Sequence, residues 1–364
     1  MKWLKAFGVT AAAALCGLAL SACGQKPAEK AEAPAAAKTD YTIGWTIYAG
    51  WMPWPYAEQT GIVKKWSDKY GVNIKFVQIN DYVESLNQFT AGKIDGVTST
   101  NMDALTIPAA AGKDSTFVVV GDYSNGNDGL VLKNGSSLAD LKGRTVNLVE
   151  LSVSHYFLAR AVETAGLKMS DIRTVNTSDA DIVAAFGAPE TQAVAAWNPQ
   201  LSEIKKMAGA TEVFDSSKIP NEILDVMNVS TEVLKANPDL GKALAGIWYE
   251  TMEILHKGDA QSKAAVEQMA KGAGTTPESL GEQLETTYFY VNARDAANYM
   301  ESPDLITVTN RVRQFSYSKG LFGSAAKSVD AIGIEFPGGK VLGDKGQIRL
   351  RFDPTYMKLA ATGF

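Results

Sequence analysis

Histidine and cysteine are scarce in this chain: two of each among 364 residues. Cys16 lies in a leader segment, so the mature chain would keep Cys23 alone. One cysteine can form neither a disulfide within the chain nor a Cys-based metal site. His155 and His256 are too few for a His-rich metal centre, so no metal and no cofactor are expected. Basic residues are not in excess either. Lys and Arg number 35 against 40 Asp and Glu, a formal net charge of −5, whereas a nucleic-acid partner requires a basic face. No segment sets a nucleophile beside an oriented base, so an enzyme is not expected.

The N-terminus carries an address. MKWLKAFGVTAAAALCGLALSAC places Lys2 and Lys5 before a short apolar run that ends in small residues. This is the layout of a secretory signal peptide, and the run is too short for a confident membrane span. Leu20-Ser21-Ala22-Cys23 resembles a bacterial lipobox, which implies that residues 1–22 are removed and that Cys23 takes a lipid. Residues 23–40, rich in Ala, Pro, Lys and Glu, cannot bury a core and are expected as a flexible tether. The chain is therefore expected outside the cytoplasm, held at a membrane through Cys23.

From Tyr41 onward strand and helix patterns alternate. YTIGWTI precedes PYAEQTGIVKKWSDKYG, NIKFVQI precedes YVESLNQFTAGK, and TVNLVE leads into SHYFLARAVETAG. Repeated βα alternation predicts an α/β fold with parallel sheets and helices on both faces. From Ser230 the apolar spacing turns mostly helical, and IGIEFPGGKV and GQIRLRF are short strand candidates near the end.

Five stretches in order carry a family resemblance: GWTIYAGWMPWPYAEQTGIVKKW, FTAGKIDGVTSTNMDAL, LADLKGRTVNLVELSVSHYFLARAV, VNTSDADIVAAF and AVAAWNPQLSEI. Together they resemble the substrate-binding proteins of bacterial ABC importers in the nitrate, sulfonate, taurine and thiamine-precursor group. The nearest resemblance is to the subgroup assigned to urea and guanidine import beside urea carboxylases. The resemblance implies a two-lobe periplasmic binding protein fold with the ligand in the interlobe cleft and two crossings between lobes. The crossings are expected near residues 122–132 and 214–229. The first lobe would comprise residues 41–129 plus 227–320, the second 130–226, with residues 321–364 as an extension packed on the first. It further implies a monomer whose partners are a small ligand, an ABC permease and its ATPase subunits.

Ligands in open α/β sheets bind beyond the carboxyl ends of strands, so the strand-end loops are the candidates. Tyr48 and Trp51 offer flat faces for a cation, or pack on the next helix. Asn101 and Asp103 follow the third strand, and Asp103 is equally suited to cap the helix there. Asp122, Asn127 and Asp128 lie in a crossing whose Asn, Asp and Gly residues also suit a hinge turn. Glu150, Ser152, Ser154 and His155 surround a helix start; the serines also suit N-caps, and His155 also suits a packed helix position. Asp179 is a ligand candidate or a helix N-terminal charge, and Trp197 and Asn198 end a strand.

These loops hold Asp103, Asp122, Asp128, Glu150 and Asp179 but no Lys or Arg. Nitrate and sulfonates call for paired basic donors, and Glu150 stands where anion-binding relatives need open space. The expected ligand is therefore donor-rich, guanidine or urea. The alternative keeps the group's better-known ligands: nitrate, sulfonates such as taurine, or thiamine pyrimidine precursors. A related enzyme that makes a pyrimidine phosphate relies on clustered Cys and His, which this chain lacks.

Overall fold

Alternating apolar residues carry β1 (Asp40–Trp45) into the core, with Tyr41, Ile43 and Trp45 buried. It pairs in parallel with β2 (Asn73–Gln78) and β3 (Gly96–Thr100). Helices Pro53–Gln59 and Ile62–Tyr70 make the first return, and helix Tyr82–Thr90 the second. Pro53 suits a first helical turn, where its missing N–H costs nothing. Gly71, at φ 63°, closes the second helix in a conformation that disfavours side chains. The computed structural model describes residues 38–363, so the expected signal peptide and Cys23 lie outside the described residues.

After β4 (Ser115–Ser124), residues 125–127 carry the chain into a second sheet. That sheet contains β5 (Asp128–Lys133), β6 (Thr145–Leu148), β7 (Arg173–Asn176), β8 (Ala193–Trp197) and β9 (Ala210–Asp215), in the order β7-β6-β8-β5-β9. Residues 216–223 bring the chain back to β10 (Leu224–Ser230), which lies between β3 and β4. Both sheets are mixed. β5 and β10, the first strand after each crossing, run antiparallel to both of their neighbours. A helical crossover returns a strand in parallel, whereas a short direct crossing delivers one in the opposite sense.

The boundaries differ slightly from the sequence expectation. Asp128 and Gly129 already pair in the second sheet, and Leu224–Val226 already pair in the first. The two crossings also touch. The Ser124 and Ser216 hydroxyls bond at 2.6 Å, and the Gly126 N–H donates to Ser216 at 2.8 Å.

Six helices occupy much of the next stretch, from Thr231–Ala236 to Pro303–Ser318. Within the span read as helix, β11 (Thr287–Phe289) pairs with β4. The tail adds β12 (Gly333–Phe336), β13 (Lys340–Leu342) and β14 (Ile348–Phe352), and β14 lies in parallel on β4. Helix Thr355–Thr362 closes the chain against helix Asp239–His256, where a Cβ on Gly241 would sit 2.4 Å from the Tyr356 ring. No helix among the described residues is long and apolar enough to cross a membrane.

Candidate ligand-binding site

The carboxyl ends of β1, β3 and β8 converge on a narrow pocket of ≈ 20 Å³. The first lobe supplies Thr46, Ile47, Tyr48 and Trp51 from the loop after β1, Tyr82 from a helix start, Thr100 at the end of β3, and Asp225 on β10. The second supplies Asp128 on β5, Val153 and Trp197, while Ile223 comes from the returning crossing. Four rings form a continuous chain. Tyr48 meets Trp51 edge-on at 5.0 Å, Trp51 meets Tyr82 at 5.6 Å, and Tyr82 meets Trp197 edge-on at 5.9 Å. No lining residue is Lys, Arg or His.

Carboxylates dominate the polar part of the wall. Asp128 is buried, and burial pushes it up to about 7, opposed by a hydrogen bond with Ser124. Asp225 and Asp122 are opposite neighbours on β10 and β4. Neither Asp122 oxygen and not the Asp225 Oδ2 has a hydrogen-bond partner among the described residues. Burial raises both acids, Asp122 to about 7 and Asp225 well above the carboxylate range, where repulsion from Asp122 adds to the effect. The Tyr48 hydroxyl faces Asp225 and is pushed up by burial and by the charges of Asp225, Asp122 and Asp128. Such clustered, burial-shifted acids are costly in a fold and mark candidate functional sites.

Asp103 borders this wall in another role. Its Oδ2 accepts from the Tyr82 hydroxyl at 3.0 Å, from the Thr100 hydroxyl at 2.9 Å and from the Val153 N–H at 3.3 Å. Val153 begins helix Val153–Thr164 of the second lobe, so Asp103 caps a helix across the cleft. Burial raises Asp103 to about 6, against the pull of these bonds. Asp179 is placed reciprocally: burial raises it to about 6, while the Tyr82 N–H at the start of the first-lobe helix favours its charged form. It borders a smaller side cavity of ≈ 10 Å³ behind Trp197.

The structure therefore gathers Tyr48, Trp51, Asp128 and Trp197 on the pocket wall, with Asp122 behind it and Asp103 and Asp179 beside it. Other candidates lie elsewhere. The Glu150 side chain is half-buried, accepts from the Thr174 hydroxyl and is not part of the pocket wall. Ser152 caps its helix, accepting from Ser154 N–H at 3.2 Å. The buried Ser154 hydroxyl has no partner among the described residues. His155 accepts from the Leu151 N–H at 3.3 Å and packs edge-on against Phe315. Asn101 holds the returning crossing through Glu222 O and Leu224 N–H. Asn127 and Asn198 tie the second lobe to Thr287 and Thr286 of the first.

Sequence reasoning did not single out Tyr82 or Asp225. Tyr82 reads as an ordinary first-turn residue behind the capping Asp81. Asp225 had a signal: it interrupts the apolar run ILDVM, as Asp122 follows FVVVG. An acid inside a strand that is buried throughout has no solvent to face.

A model of the family described as NMT1/THI5 like matches residues 64–248. A protein of Escherichia coli K12 described as "Putative aliphatic sulfonates-binding protein" is 28% identical over 243 residues, covering 64% of this chain and 73% of that one. The solved alkanesulfonate-binding protein of Xanthomonas axonopodis pv. citri, bound to MOPS, matches with a TM-score of 0.67 at 19% identity, over 80% of this chain and 96% of that one. The periplasmic nitrate-binding protein of Synechocystis PCC 6803 gives 0.59 at 12% identity, over 90% and 98%. These likenesses identify the architecture as the two-lobe periplasmic binding protein fold.

Proposed function

The chain belongs to the NMT1/THI5-like family, and from that premise we propose that it is the extracytoplasmic solute-binding protein of an ABC importer. Its cargo is a small donor-rich nitrogen compound, guanidinium foremost and urea second. A lipid on Cys23 holds it at the membrane, and a permease with its ATPase subunits receives the ligand. One observation carries the ligand reading: the pocket wall joins four aromatic rings to buried acids and contains no basic side chain. A planar cation stacks on such rings and donates in pairs to carboxylates, whereas an oxyanion would meet repulsion in a poorly solvated cleft.

The two lobes close over the ligand by bending at residues 125–127 and 216–223. Cross-lobe contacts then hold the closed form: Asp103 on Val153, Tyr82 on Trp197, and Glu222 between Arg160 of the second lobe and Arg311 of the first. Nothing in this scheme requires bond making in the ligand.

A second reading, a sulfonate or nitrate cargo, is favoured by what the E. coli, Xanthomonas and Synechocystis relatives bind by name. Isothermal titration of the mature protein with guanidinium, urea, taurine and nitrate separates the two. Guanidinium binding with no taurine or nitrate binding is the expected result; tight taurine or nitrate binding overturns the guanidinium reading and leaves the importer assignment standing.

A further inference from the structure

We infer that the Asp122–Asp225 pair is a proton store that the site empties when a cationic ligand arrives, so that capture is an exchange of a proton for a cation. This rests on the cationic-ligand reading above. The two residues stand opposite each other on β4 and β10, and Asp122 has no exposed surface. Behind the main pocket they line a second, very small cavity of ≈ 10 Å³ together with Trp51, Trp54 and Trp248. Asp225 and Trp51 border both cavities, so the pair communicates with the ligand space through them.

The surroundings offer no other means of neutralisation. The titratable groups facing the pair are Tyr48 from the loop after β1, Asp128 from β5 and Tyr290 beyond β11. None of these is cationic, and among the described residues no cluster of His, Cys, Asp and Glu is placed to hold a metal ion. Apart from Asp225 itself, no group among the described residues donates to either Asp122 oxygen. Two adjacent carboxylates in such a site cannot both ionise, and one proton held between them relieves the repulsion. Burial raises both acids, in agreement with that arrangement.

The exchange balances. With one shared proton the pair carries one negative charge. When a guanidinium enters the main pocket, the proton leaves to solvent and both carboxylates ionise. Pair and cation together again carry one negative charge, so no net charge is added to the buried site. A neutral ligand such as urea has no charge to exchange and leaves the proton in place. The pair is thus a specificity device that separates a cation from its neutral isostere.

Two measurements test this. Infrared spectroscopy of the ligand-free protein at about pH 8.5, above the range in which Asp128, Asp103 and Asp179 hold protons, should show the carbonyl band of a protonated buried carboxylic acid, lost or shifted in Asp122→Asn. No such band in the unliganded wild type overturns the proton store, whatever the ligand. Titration of guanidinium at mildly alkaline pH, where one proton remains on the pair, in buffers of different ionisation enthalpy should show about one proton released and affinity rising about tenfold for each unit by which pH is increased. Urea should show neither, and Asp122→Asn should bind guanidinium without release. Guanidinium binding without proton release in the wild type overturns the exchange; an infrared band together with no guanidinium binding overturns the ligand reading alone.

Discussion

The Asp103 carboxylate of the first lobe receives the Val153 N–H of the second at 3.3 Å, so the cap of one lobe's helix is supplied by the other lobe. Ser152 serves the same helix from within. In the proposed hinge motion, opening of the cleft would part Asp103 from Val153 and leave the Ser152 cap in place.

Replacing Asp103 by Asn removes the charged acceptor and keeps the shape. A hydrogen bond to a charged group contributes about 1.5–3 kcal/mol, so ligand affinity should fall roughly ten- to a hundredfold. The loss should appear mainly as faster dissociation, followed by stopped-flow tryptophan fluorescence. An unchanged dissociation rate would mean that Asp103 serves its own lobe only.

Trp51 touches both Tyr48 and Tyr82 and borders both cavities. Trp51→Phe should retain part of the cation–π attraction and Trp51→Ala none. The attraction is worth about 2 kcal/mol when desolvated, so Ala should weaken guanidinium binding at least tenfold by titration calorimetry. Equal affinity of the two variants would argue against stacking.

Glu150→Gln should leave guanidinium affinity within about twofold, because its carboxylate binds Thr174 and stands off the pocket wall. Asp128→Asn, on the wall, should weaken guanidinium far more than urea. Comparing the two variants by calorimetry tests whether the wall, or the acidic strand-end loop, selects the ligand.

The raised acids fix the sign of a pH effect on stability. Asp128 is lifted by burial from 3.8 to about 7 in the folded chain. Between these values the folded state binds the proton and the unfolded state does not, so stability present below pH 4 is lost as pH rises through about 7. The ligand-free wild type should lose melting temperature from pH 5 to pH 8 relative to Asp128→Asn, by an amount equivalent to a few kcal/mol. A parallel pH profile for the two proteins, measured by calorimetry, would remove Asp128 as a source.

Local patterns in the chain determined the α/β class and the strand ends that carry Trp51 and Trp197. Apolar periodicity and turn residues act over a few positions, so they can be read directly. The antiparallel entry of β5 and β10, the pairing of Asp122 with Asp225 across 103 positions of sequence, and the retreat of Glu150 onto Thr174 were decided by tertiary structure. Each depends on which strands become neighbours and how much solvent remains between them. Burial turned ordinary acids into a coupled pair, and burial is a property of the assembled lobes, not of any single segment.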